Sequence, residues 1–116
     1  MVEQRERLDL VFRALSDPTR RAMLDVLRER ECSIVELAEP FEMSLAGASK
    51  HVQVLARAGL IERRKEGRTQ YCRLQIQALR QAHEWLQQYA SFWNARLDQL
   101  EQVLKNEKMQ KGNGND

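Results

Sequence analysis

Ser44-Leu-Ala-Gly-Ala-Ser-Lys-His-Val-Gln-Val-Leu-Ala-Arg-Ala58, followed across Gly59-Leu60 by Ile61-Glu-Arg-Arg-Lys-Glu-Gly-Arg-Thr-Gln-Tyr-Cys-Arg-Leu74, is the stretch on which the fold turns. Its first part reads as a short helix. Ala48, Val52 and Leu55 recur at i, i+4 and i+7 and face a core, which leaves Ala46, Gly47, Ser49, Lys50 and Gln53 on or near the other side. Ser44 sits where a cap belongs. The second part reads as two strands, Ile61–Glu66 and Thr69–Leu74, broken by Gly67-Arg68 as a tight hairpin requires. Ile61, Tyr71 and Leu74 are expected on the core side, with Arg63, Lys65 and Arg68 projecting outward. Residues 44–73 hold seven basic side chains against two acidic ones, a net of +5 in a chain whose total is +2. The remainder therefore carries −3. Positive charge gathers on one helix and one hairpin, the electrostatic footprint of a DNA reader.

Upstream, Leu8, Val11, Phe12 and Leu15 form one apolar helical stripe. Ser16-Asp17-Pro18 ends that helix and starts the next, with Asp17 as cap and Pro18 in the first turn. The second helix reaches about Arg28, and a charged loop follows. Ser33-Ile-Val-Glu36 has the capping-box pattern and opens a short third helix that ends near Pro40. Phe41-Glu-Met43 turns the chain into the helix at Ser44. Two short helices joined by a tight turn make a helix-turn-helix. Gly47, which weakens a helix by roughly 1 kcal/mol relative to Ala, is read as a position of close backbone approach.

Downstream, a helix is expected over about 78–106. Leu79, Leu86, Trp93 and Leu100 lie seven apart, interleaved with Ala82, Tyr89, Leu97 and Val103. A seam of nearly four heptads is more apolar surface than so small a domain buries by itself, so a second subunit is expected to cover it. The polar, glycine-containing residues 109–116 read as a disordered tail.

With 116 residues the chain fits one domain carrying an oligomerisation helix. No apolar run approaches the roughly 20 residues of a membrane span, and no partnership with a membrane is expected. The opening Met-Val-Glu-Gln-Arg-Glu-Arg lacks the apolar segment of a secretory signal, so the expected location is cytoplasmic. Cys32 and Cys72 form no Cys-x-x-Cys unit and read as free thiols. No nucleophile–base set, phosphate-cradling loop or clustered acid pair points to an enzyme. No cofactor is expected.

Phe12-Arg-Ala-Leu-Ser-Asp-Pro-Thr-Arg-Arg21, Ser44 to Leu55, Ala58-Gly-Leu-Ile61 and Arg64-Lys-Glu-Gly-Arg68 together resemble the ArsR/SmtB family of winged-helix repressors. The resemblance covers about residues 8–106. It implies an α-α-α-α-β-β-α winged helix-turn-helix over residues 1–108 and a homodimer built on the first and last helices. It also implies repression through a palindromic, inverted-repeat operator in double-stranded DNA, with autoregulation. By position, Ser44, Ala46, Gly47, Ser49, Lys50 and Gln53 match the recognition helix, and Arg63, Lys65 and Arg68 the wing, where Arg64 is expected to join them in holding phosphates or entering the minor groove. Leu8, Val11, Phe12, Leu86, Trp93, Leu97 and Leu100 are the expected dimer interface. Many members sense metals through a cysteine pair at the third helix. Here those positions are Ser33 and Val35, and Cys32 lies one residue early. On the last helix His83 has only the adjacent Glu84, and neighbours i and i+1 do not share a face. No metal site is therefore expected. The alternative is a thiol- or metal-responsive repressor using Cys32 and Cys72. Neither an inducer nor the operator sequence is legible.

Overall fold

The computed structural model describes the backbone of residues 2–114 and the side chains of residues 5–109. It divides into two compact units, Met1–Ala82 and His83–Asp116. The elements run α1 (Val2–Leu15), α2 (Pro18–Glu29), β1 (Cys32–Ser33), α3 (Ile34–Ala38), a 3₁₀ turn at Glu39–Phe41, α4 (Leu45–Arg57), β2 (Ile61–Glu66), β3 (Thr69–Leu74) and α5 (Gln77–Gly114). This is the expected α-α-α-α-β-β-α order with one addition. β1 pairs antiparallel with β3 and completes a three-stranded sheet in the order β1-β3-β2.

Local chemistry sets the boundaries. Asp17 accepts from the Arg20 amide at 3.0 Å and Pro18 follows, as the start of α2 requires. Ser33 and Glu36 close a reciprocal capping box on α3, each bond 3.1 Å. Ser44 Oγ accepts from the Gly47 amide at 3.0 Å and starts α4. Between α3 and α4 the backbone turns through Glu42 in the left-handed region, φ 51°. Glycine is the usual occupant of that region, so nothing in the composition marked it. α4 closes in a Schellman arrangement: the Gly59 amide donates to the Ala56 carbonyl, the Leu60 amide to that of Leu55, and Gly59 has φ 77°. In the hairpin Gly67 has positive φ and Arg68 does not, the sign pattern of a II′ turn.

The core of the first unit gathers Val11, Met23, Leu37, Val52, Leu55 and Leu60, with both cysteines fully buried among them. Three expectations change here. Val11, expected at the dimer interface, is 1% exposed and belongs to the chain's own core. Tyr71 does not share the core face with Leu74. Side chains alternate along a strand, and Cys72 and Leu74 point inward while Tyr71 lies on the other face under the Arg64 guanidinium. α5 runs past Asn106 to Gly114, through the good helix formers Glu107-Lys-Met-Gln-Lys111 and with no proline after Asn106. The expected disordered tail over 109–116 therefore begins on a helix, and residues 115 and 116 lie outside the described residues.

In the second unit, α5 from His83 onward has an exposed apolar face. Leu86, Tyr89, Phe92, Trp93, Leu97 and Leu100 are all solvent-accessible. Trp85 stacks obliquely on Tyr89, ring centroids 4.8 Å apart, and Arg96 covers Phe92. No helix of the described residues is long and apolar enough to cross a membrane.

Candidate nucleic-acid interface

α4 divides cleanly. Ala48, Val52 and Leu55 are fully buried, and at about 100° per residue the opposite line runs through Ala46, Lys50, Gln53 and Arg57, all exposed. Ser49 and Gly47 flank that line and are half-buried, and Ser44 is exposed at the cap. Arg57 was absent from the expected site. Its signal was present in the spacing, since it follows Lys50 by seven residues on one face. Gly47 has a local reason to be glycine: an added Cβ would stand 3.3 Å from Ser44 Oγ, the capping atom.

The hairpin comes alongside the same helix. Leu45 and Ser49 of α4 share one concave surface with Lys65, Arg68 and Thr69 of the hairpin and with Val35 of α3. Residues expected in the recognition helix and residues expected in the wing are thus brought onto one surface. The strand register is regular from Ile61↔Leu74 to Glu66↔Thr69, so β2 and β3 form an unbulged hairpin that carries the basic tip at its end.

The cations of this region are not equivalent. Arg64 donates to Glu66 at 2.7 Å and to Glu31 at 3.0 Å, and its guanidinium lies 4.9 Å from the Tyr71 ring centroid. The bonds to Glu66 and then Glu31 hold its proton more tightly than usual. Arg73 pairs with Glu62, whose carboxyl is lowered chiefly by that bond and further by Gln75. Arg64, expected among the wing contacts, thus differs from its neighbours in that role. It is charge-compensated and braces the hairpin against the loop before β1. Lys50, Arg57, Arg63, Lys65 and Arg68 form no ion pair among the described residues.

His51, beside Lys50, contacts the start of α2. Its Nδ1 lies 3.3 Å from Arg20 Nη1 and 4.0 Å from Asp17 Oδ2. His83 is exposed on α5 near Glu84. Among the described residues no three His, Cys, Asp or Glu side chains converge as a metal-ligand set. Cys32 and Cys72 face one another directly across β1 and β3 and are free thiols. Burial pushes the Cys72 thiol above its usual value.

Residues 15–64 match the family described as a helix-turn-helix domain. The transcriptional repressor SdpR of Bacillus subtilis is 34% identical over 76 residues, which cover 66% of this chain and 84% of SdpR. A crystal structure of an ArsR family transcriptional regulator is similar at TM-score 0.73 with 36% identity, covering 77% of this chain and 92% of that one. A homodimeric winged helix-turn-helix DNA-binding domain from Mycobacterium bovis, described as a possible ArsR-family regulator, is similar at TM-score 0.56 with 28% identity, covering 83% of each chain.

Proposed function

This chain belongs to the ArsR family of winged helix-turn-helix transcriptional regulators, and from that membership we propose that it is a homodimeric repressor binding an inverted-repeat operator, with autoregulation of its own gene. The observation that carries the reading is the concave surface on which Leu45 and Ser49 of α4 meet Lys65 and Arg68 of the hairpin, neither of which has an acidic partner among the described residues. Lys50 and Gln53, with Ser49 beside them, read base edges: lysine donates to guanine acceptors, and glutamine pairs bidentately with adenine. Ser44, Ala46 and Gly47 keep the helix N-terminus slender enough to enter the major groove. Arg63, Lys65 and Arg68 hold phosphates or the minor groove. The α5 face supplies the dimer contact through Leu86, Trp93, Leu97 and Leu100, with Leu8 and Phe12 of α1. That arrangement is supported by the homodimeric relative and by the extent of the exposed apolar stripe. Residues 1–108 act as the DNA-binding and dimerisation unit, working in the cytoplasm. Two recognition helices then sit about one turn of DNA apart, roughly 34 Å. Footprinting on DNA upstream of its own gene tests the whole reading. Two protected half-sites one turn apart are expected, and no shift of any duplex at low salt overturns it.

A second reading, a thiol-responsive repressor, is favoured by the direct register of Cys32 and Cys72. Facing residues of antiparallel strands have Cα atoms about 4.5–5.5 Å apart, inside disulfide range. Peroxide would take two electrons and two protons from the pair, leaving one disulfide and two waters. Burial disfavours the reactive thiolate, so β1 must lift first. A disulfide seen by mass spectrometry together with altered operator affinity supports this reading, and unchanged affinity on oxidation ends it.

A further inference from the structure

The corner between α1 and α2 fixes one side chain of α4. Arg20 donates from Nε to the Ala14 carbonyl at 2.8 Å and from Nη2 to the Arg13 carbonyl at 2.9 Å. Those two bonds orient the guanidinium and leave Nη1 aimed at His51 Nδ1, 3.3 Å away. A guanidinium is a donor only and keeps its protons in proteins. The contact therefore requires a lone pair on Nδ1. Asp17 Oδ2, at 4.0 Å from the same nitrogen, is too distant to hydrogen-bond it. A neutral imidazole accepting at Nδ1 carries its single proton on Nε2.

That second nitrogen has no protein partner, and none of the half-buried polar side-chain atoms among the described residues is both buried and unpaired. Nε2 is therefore open to solvent, on a ring whose side chain is 25% exposed. His51 lies on the flank of α4, one turn from Gly47. The line through Lys50 and Gln53 faces the groove floor, and a flank residue meets the groove wall, which is sugar and phosphate.

We propose that His51 is a phosphate contact of the recognition helix, delivering a neutral Nε2–H donor whose orientation and tautomer are set by Arg20. Arg20 is a positioning residue. The inference rests on the DNA-binding reading above and adds to it a contact that displaces no counterion.

The chain has two histidines, which makes the test direct. Long-range proton–nitrogen NMR of the nitrogen-labelled full chain at mildly alkaline pH, with His51 assigned by its loss in His51→Phe, is expected to show the Nε2–H tautomer. An Nδ1–H tautomer overturns the proposal. Operator affinity is then measured over a salt series for wild type, His51→Phe and His51→Gln. His51→Phe keeps the ring's bulk without its donor and is expected to bind roughly tenfold more weakly, in line with a hydrogen bond to a charged group. Its slope of log affinity against log salt stays unchanged, because a neutral donor releases no cation. His51→Gln, whose amide donates, recovers most of the loss. Unchanged affinity in His51→Phe, or a slope reduced by about one as for a lost cation, overturns the proposal and leaves the repressor reading intact. Wild-type protein that shifts no duplex overturns that reading and this proposal with it.

Discussion

Arg64 and Arg68 stand in one hairpin and are both expected in the wing, yet their surroundings differ. Arg64 is held by Glu31, Glu66 and the Tyr71 ring, whereas Arg68, at the turn, has no acidic partner among the described residues. A cation already neutralised by protein carboxylates has little counterion release to contribute on DNA. Arg68→Ala is expected to weaken all duplexes alike and to lower the salt slope by about one. Arg64→Ala is expected to leave that slope unchanged. Lys50→Ala is expected to narrow the gap between specific and scrambled duplexes, by about 1–3 kcal/mol for one good base contact. Gel-shift titrations on both duplexes over a salt series measure all three. An equal fall in slope for the two arginines would contradict the division.

Among the elements, α3 depends most on its ends. It has only five residues, far below the length at which a helix holds by itself. The capping box supplies what propensity does not. Ser33→Ala is expected to destabilise the protein by about 1 kcal/mol in urea denaturation. The partner carboxylate makes the same bond pH-sensitive. Glu36 is held below its ordinary 4.5 by the Ser33 amide first and the Ser33 hydroxyl second. Asp17 is held below its ordinary 3.8 chiefly by the Arg20 amide. A carboxyl whose folded value lies below its unfolded one adds stability above the unfolded value, and loses it as pH falls through the folded one. The urea midpoint is therefore expected to drop as pH falls from about 5 toward 3, and Glu36→Gln to flatten part of that drop. A mutant curve that parallels wild type would count against the cap's role. Both caps and the Gly59 stop of α4 were legible beforehand because each bond joins residues within a few positions. β1 was not: two residues, Cys32-Ser33, carry no periodicity, and only their pairing with Cys72 and Tyr71 makes them a strand.

For the molecule as a whole, the exposed face of α5 is the surface on which the proposed dimer depends. Trp93 is 62% exposed, Leu100 54% and Leu97 45%, and a contiguous stripe of this kind marks an interaction surface. Leu97→Glu is expected to leave the first unit folded, to shift sedimentation from dimer to monomer, and to reduce operator affinity more than half-site affinity. A variant still dimeric at micromolar concentration would place the subunit contact elsewhere. Val11 shows the limit of stripe reading at this scale. It shares a helical face with Leu8 and Phe12, but it is buried in the core of the same chain, where α1 packs on α2 and α4.

Helix order, caps, the hairpin and its basic tip follow from the residues alone, since periodicity, capping and turn chemistry act between near neighbours. Which cations stay unpaired, where Val11 is buried, and how Arg20 meets His51 were settled only by packing. Each of those depends on residues distant in the chain, and a one-dimensional pattern holds no measure of which distant groups will touch.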